Sequence, residues 1–184
     1  MSSDSVSIKE SIALITGKAE QDNYFGTGLA IYVGEFESYW ITCAHVIRAI
    51  GGTSEIYVDN RLSRLVAPSE EEFDSPKARH ADIAILRVEG LVNKTALKLA
   101  INAFSNDVSS NMEVSIVGYY ERLATQSSDE KSIGAEPIKG FLYSWHERTI
   151  DGERIPAWKI AIRDTATVLL KEGYSGSPVI PNEN

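Results

Sequence analysis

A single cysteine, Cys43, stands in 184 residues, so no disulfide can form within the chain. That excludes a disulfide-stapled secreted scaffold and fits a reducing compartment. Basic clusters are missing as well. Eighteen Lys and Arg stand against 26 Asp and Glu, giving a net charge of −8 and a pI near 4.9. Phosphate contacts come from grouped Lys and Arg, so nucleic acid is not an expected partner. No run approaches the ~18 apolar residues of a membrane span, and no membrane association is expected. The opening Met1-Ser2-Ser3-Asp4-Ser5 has neither a basic n-region nor an apolar h-region. Together these absences predict a cytoplasmic protein. Internal repeats and low-complexity tracts are absent too. The three histidines, His45, His80 and His146, are scattered without a close pair at ligand spacing, so no zinc site, and no metal or cofactor, is expected.

Helical signal is scarce, and Ala44 to Ile50 is its best stretch. Short β-rich runs recur instead: Ile12 to Thr16, Gly28 to Val33, Tyr39 to Thr42, Glu55 to Val58, Asp82 to Val88, Val114 to Tyr119, Ile138 to Trp145, Trp158 to Ile162 and Thr167 to Leu170. Many alternate or are wholly apolar, as strands of a closed barrel or sandwich do. The fold class read from this pattern is all-β. With 43% apolar residues the chain can bury a real core, as one unit or two small fused barrels. The polar stretch Ala100 to Asn111 reads as a linker. It divides residues 1–100 from residues 112–184, with 101–111 between them. The acidic stretch Pro68 to Arg79 (Glu70, Glu71, Glu72, Asp74) reads as a solvated loop. The polar stretch Glu121 to Pro137 reads as a second, mobile loop.

Three segments carry chemistry. Gly173-Tyr174-Ser175-Gly176-Ser177-Pro178 is a tight glycine turn around a serine. Glycine tolerates positive φ, so such a turn can converge backbone N–H groups on one point. A serine hydroxyl is a poor nucleophile and needs a base beside it and donors for the oxyanion it creates. Trp40-Ile41-Thr42-Cys43-Ala44-His45-Val46-Ile47 places His45 at a strand end. His80-Ala81-Asp82-Ile83-Ala84-Ile85-Leu86-Arg87-Val88 sets Asp82 at the mouth of an apolar strand, where a carboxylate can reach an imidazole. A carboxylate accepting the Nδ1–H fixes the tautomer and steadies the imidazolium. The order is His, Asp, Ser. His80, close to Asp82 in a charged segment, reads as exposed, and His146 as structural or surface. Cys43, inside an apolar strand, reads as a structural thiol rather than a nucleophile. Trp40, Trp145, Trp158 and the Tyr119-Tyr120 pair read as core or interface aromatics.

These three segments, with Gly26-Thr27-Gly28-Leu29-Ala30-Ile31, resemble the trypsin-like serine peptidases, and within them the bacterial branch of Deg-type housekeeping proteases. The resemblance runs from about the first strand to the last residue. It implies two six-stranded-type antiparallel β-barrels of the chymotrypsin fold, with the site in the cleft between them. It implies Ser175 as nucleophile, His45 as general base and then acid, and Asp82 as orienting carboxylate. The backbone N–H groups of Gly173 and Ser175 would form the oxyanion hole. Leu169 would lie on the floor of the specificity pocket, arguing against Lys or Arg at the cleaved position. In some relatives a loop like Pro68 to Arg79 binds calcium. The implied activity is a serine endopeptidase acting on protein or peptide substrates through an acyl-enzyme. The alternative is a peptidase-like binding or scaffold module with an incomplete site. An esterase ranks low, because the Gly-x-Ser-x-Gly elbow and the strand–helix alternation of its fold are absent.

The chain departs from the family pattern in three places. Tyr174 stands where secreted digestive relatives carry an aspartate, and no Ile-Val-Gly-Gly-like start is present, so activation by N-terminal cleavage is not expected. Cys43 lacks the partner that flanks the histidine in many relatives. Finally, the sequence ends at Asn184, where relatives continue for two strands that wall the specificity pocket. The expectation is a truncated second barrel in a protease module of a larger protein, completed or controlled by a further domain or regulatory partner.

Overall fold

The computed structural model describes residues 8–18, 24–90, 93–98, 112–122, 132–150, 153–163 and 173–181. A 3-10 turn, Ile8–Ser11, leads into β1 (Ile12–Thr16), β2 (Phe25–Val33) and β3 (Glu37–Thr42). A short helix, α1 (Ala44–Ala49), follows, then β4 (Ile56–Val58), β5 (Arg61–Ala67), helix α2 (Pro76–Ala81) and β6 (Ala84–Glu89). The second half holds β7 (Met112–Arg122), β8 (Ser132–Ile150), β9 (Glu153–Ile162) and β10 (Val179–Pro181). The class is all-β, as the alternating runs predict.

The first half is a closed antiparallel barrel in the order β1-β2-β3-β6-β5-β4, and β1 closes on β4 through Ile15↔Val58 and Thr16↔Tyr57. The period-two rule sets its interior. Ser38, Trp40 and Thr42 of β3 point inward, as do Ala84, Leu86 and Val88 of β6. The β3–β6 register puts Trp40 opposite Leu86 and Thr42 opposite Ala84. The buried Trp40 indole donates to Ser38 Oγ at 2.9 Å, so the large ring enters the core with its N–H satisfied. Ile15, Ile47, Ile56, Leu86 and Val88 complete that core at essentially zero exposure, each contributing about 1.5–3 kcal/mol of transfer free energy. Shifts of register in β2 (Ala30/Tyr32) and β5 (Leu65/Ala67) bend the sheet toward closure.

β2 is buried on both faces along Gly26 to Ala30, because its outer face meets the second half. Ile12, Leu29 and Val117 form that contact layer, with Ile8, Ile41, Leu97, Tyr119 and Ala135 against it. The second half is a four-stranded sheet in the order β10-β7-β8-β9. A second barrel, truncated at its C-terminal end, is the expectation there. Among the described residues β9 and β10 are the two edges of an open sheet and do not pair with each other. Closure requires the two edge strands to meet, and four strands with two separate edges have not wrapped round an interior. The linker 101–111 and the run Thr167 to Leu170 lie outside the described residues.

Three elements differ from the sequence expectation. β5 was not anticipated. Its Arg61-Leu62-Ser63-Arg64-Leu65-Val66-Ala67 buries only Ser63 fully, so it carries no apolar alternation, and backbone pairing with β4 and β6 makes it a strand. Part of the expected loop Pro68 to Arg79 is α2. Ser75 caps it by accepting from Ala78 N–H at 3.2 Å, and Pro76 sits at its first position. Glu70, Glu71 and Glu72 remain exposed there, while Asp74 pairs with Arg79 at 3.3 Å and Arg48 at 3.5 Å. The two flanks of the expected loop Glu121 to Pro137, residues 121–122 and 132–137, are ladder: Arg122 pairs with Ser132 and Val117 with Pro137. Residues 123–131 lie outside the description. A hairpin ladder satisfies backbone groups whatever the polarity of its side chains, so composition alone misreads it.

Candidate active site

β3 and β6 are neighbours, and their last pair is Thr42↔Ala84. The residue after β3's end and the residue before β6's start are therefore forced together. Ala44 N–H donates to the Asp82 carbonyl at 3.1 Å, locking the two segments at that corner. His45 is the second residue of α1, whose N-cap is Cys43. Asp82 caps the C-terminus of α2 in the left-handed region, φ 49° and ψ 35°, a conformation aspartate tolerates better than most residues. That turn swings its carboxylate onto His45. Oδ1 accepts from the His45 backbone N–H at 2.8 Å, and Oδ2 lies 2.6 Å from His45 Nδ1. On the other side of the ring, Nε2 lies 2.8 Å from Ser175 Oγ. A carboxylate can only accept, so Nδ1 carries the ring proton and Nε2 is left to accept from the serine hydroxyl. The His45 side chain is 52% exposed and that of Asp82 38%, so the group opens to solvent.

The serine turn is held by backbone that no other residue could supply. Gly173 has φ 107°, and a Cβ there would fall 2.2 Å from Phe25 Cε2 and 2.6 Å from Tyr119 O. Gly176 has φ 86°, and its Cβ would fall 2.0 Å from Thr27 O. The Tyr174 carbonyl turns in to accept from Ser177 N–H at 3.0 Å. A trans peptide points its N–H opposite its C=O, so the Ser175 N–H is sent the other way.

Thr27 is the residue whose role sequence reasoning missed. It is fully buried in β2, and four hydrogen bonds converge on it. Its N–H donates to Ser175 O at 2.9 Å, and its hydroxyl donates to Gly173 O at 2.9 Å. The same hydroxyl accepts from Tyr119 N–H at 2.9 Å, and its carbonyl accepts from the Thr42 hydroxyl at 2.8 Å. Thr27 thus ties the turn to the first barrel, to β7 and to the strand that ends at the histidine. The available signal was Gly26-Thr27-Gly28, a small polar residue between two glycines, which permits close approach of another backbone.

Tyr174 is buried, packs with Ile116 and Ile138, and stacks on Tyr120 with ring centroids 5.9 Å apart at 13°. Gly118 of β7 makes room for the turn, since a Cβ there would strike Ser177 Oγ and Tyr174 Cδ1. Cys43 is half-buried against the barrel core. Burial, and then the nearby Asp82 charge, push its thiol up to about 11, with a Gly176 backbone hydrogen bond pulling the other way. At neutral pH it is a protonated thiol, consistent with a structural place rather than a nucleophile's.

His80 is exposed on α2, and His146 lies in β8. Trp145 and Trp158 occupy facing register positions of β8 and β9. Leu169 lies outside the described residues. Among the described residues Cys43, His45 and Asp82 each bring a ligand-type atom within 4.8 Å of the others, a grouping that a search for histidine pairs overlooks. Among the described residues the acidic stretch before α2 makes no such group. No described helix is long and apolar enough to cross a membrane.

A family model described as a trypsin-like peptidase domain matches residues 26–184. No curated protein matches the sequence. Among solved structures the chain is similar to the serine endoprotease from Yersinia pestis, with 12% identity and a TM-score of 0.46. The similarity covers 97% of this chain and 55% of that one, so the chain spans about half the length of that relative.

Proposed function

The chain belongs to the trypsin-like peptidase domain family, and from that premise we infer that it is a serine endopeptidase working through Ser175, His45 and Asp82. One observation carries the reading: a single imidazole spans a serine hydroxyl at 2.8 Å and a carboxylate at 2.6 Å. Ser175 Oγ attacks the scissile carbonyl as His45 Nε2 takes its proton. Asp82 holds the Nδ1–H tautomer and stabilises the imidazolium that results. The oxyanion rests on the N–H groups of Gly173 and Ser175, whose turn is pinned by Thr27. His45 then returns the proton to the leaving amine as the C–N bond breaks. Water, deprotonated by the same imidazole, releases the acyl group and regenerates the serine. The substrates are proteins or peptides, held between the first barrel and the β7–β10 sheet, which we read as the open counterpart of the family's second barrel. Residues 1–100 supply His45 and Asp82, and residues 112–184 supply Ser175. The Deg-type branch and a bacterial, cytoplasmic setting remain part of this reading.

Tyr174 gives the reading a particular form. It occupies the place where secreted relatives carry an aspartate that pairs with a newly cut N-terminus. Stacked on Tyr120 and buried with Ile116, it supports the turn by apolar packing instead. Activation by N-terminal cleavage is then unnecessary.

The test is a fluorophosphonate probe, which reacts quickly only with an activated serine. The wild-type protein should be labelled at one residue, Ser175, and Ser175→Ala should not be labelled. Absence of labelling beside a reactive control protease would instead favour a peptidase-like binding module.

A further inference from the structure

Cys43 lies two residues before His45, and its sulfur belongs to the same small cluster as the ring and the Asp82 carboxylate, with one donor atom of each within 4.8 Å of the others. It is the chain's one cysteine, so no disulfide within the chain competes for that sulfur. His45 and Asp82 are half-exposed, so a hydrated ion can reach the cluster. One thiolate, one imidazole and one carboxylate make a mixed S, N, O donor set. Hard cations such as calcium and magnesium prefer oxygen alone, whereas zinc and cadmium accept this set and take four ligands.

We propose that Cys43, His45 and Asp82 form an inhibitory site for a thiophilic divalent cation, zinc or cadmium, which silences Ser175 by capturing His45 Nδ1. Metal–ligand bonds of about 2.0–2.3 Å set tetrahedral donors roughly 3.4 Å apart. The Nδ1–Oδ2 distance of 2.6 Å is shorter than that, so the ion takes the place of the proton the pair now shares, and the contact opens. The Cys43 thiol loses its proton to solvent as the S–metal bond forms. The ring stays neutral: metal occupies Nδ1, and the imidazole proton moves to Nε2. Water completes the fourth position. An Nε2–H can donate to Ser175 Oγ but cannot remove its proton, so the base is lost without any change of fold. The inhibitory half rests on the peptidase reading above; the binding half does not.

The experiment is a cadmium titration of the purified protein, read in two ways. A thiolate-to-cadmium charge-transfer absorption should saturate near one equivalent in the wild type and in Ser175→Ala, and vanish in Cys43→Ala. Fluorophosphonate labelling should slow at least tenfold in saturating cadmium or zinc and recover with EDTA. The ratio of rates with and without metal should lie near one in Cys43→Ala. Should that variant fold poorly by circular dichroism, Cys43→Ser serves, since its hydroxyl does not bind cadmium. Absence of the absorption band in wild type, or an unchanged cadmium affinity of that band in both His45→Ala and Asp82→Ala, overturns the site. A saturated band with unslowed labelling overturns the inhibition. Failure of metal-free wild type to label defeats the peptidase reading and the inhibitory half together, while the band still decides the binding.

Discussion

The buried hydroxyl of Thr27 donates to the carbonyl of Gly173 at 2.9 Å, across 146 residues of sequence. Its own N–H meets Ser175 O at the same distance. The serine turn is therefore held by the first barrel and not by its own half alone. Thr27→Val keeps the shape and removes the hydroxyl, leaving Gly173 O and Tyr119 N–H without that partner. Each buried group left unsatisfied costs about 1–3 kcal/mol. Urea unfolding should show a loss of that order, and probe labelling of Ser175 should slow more than the folded fraction falls. Thr27→Ser restores the hydroxyl and should restore both.

Asp82 accepts from two donors on one residue, the backbone N–H and the ring Nδ1–H of His45. Asp82→Asn keeps an oxygen for one donor and presents an NH₂ group to the other. The ring must then turn its lone pair to the amide and its proton to Ser175. Labelling and peptide turnover should fall by roughly 10⁴-fold with near-native thermal unfolding. A loss below tenfold would remove Asp82 from the mechanism.

At Gly176, an added methyl would lie 2.0 Å from the Thr27 carbonyl and 2.6 Å from Thr42 Oγ1, on backbone with φ 86°. The left-handed conformation alone costs a non-glycine residue about 1–2 kcal/mol, and the clash is with backbone that cannot step aside. Gly176→Ala should lower stability by at least that much in denaturant titration and abolish labelling. Gly51→Ala shares the positive φ, at 105°, but meets nothing within 4 Å, so it should show the conformational cost without loss of labelling.

The Cys43 thiol, pushed up to about 11 by burial and then by Asp82, sets a pH dependence. Iodoacetamide reacts with the thiolate, so alkylation should be slow at neutral pH and climb about tenfold per pH unit toward 11. Asp82→Asn removes the charge that disfavours the thiolate and should speed alkylation at a given pH. The linkage runs the same way. A thiol whose folded value exceeds its unfolded one stabilises the fold fully below the unfolded value, near 8.5, and that contribution is lost as pH rises through about 11. Replacing Cys43 with Ala should flatten that alkaline decline.

The first barrel was legible because its strands obey an alternation that composition exposes. The runs Tyr39 to Thr42 and Asp82 to Val88 mark β3 and β6, while the inward faces, Ser38, Trp40 and Thr42 on one and Ala84, Leu86 and Val88 on the other, are seen only in the barrel. β5 was not legible, since Arg61, Leu62 and Arg64 are all exposed and the strand exists through its neighbours. The helix before Asp82 was signalled by Ser75-Pro76 but hidden among acidic residues. The resemblance implied a truncated second barrel, but the order β10-β7-β8-β9 among the described residues came only from the fold, because strand number and closure depend on pairing between distant segments.

Residue identity by itself settled which groups could do chemistry: a serine between glycines, a histidine at a strand end, an aspartate before another strand, and one unpaired cysteine. Distances were beyond it. The β3–β6 register brought Asp82 to His45, and Thr27 brought the serine turn to both, through contacts between residues far apart in the chain. Local sequence fixes local conformation and hydrogen-bonding capacity; only the folded chain decides which donor finds which acceptor, since that choice is made by packing across two sheets.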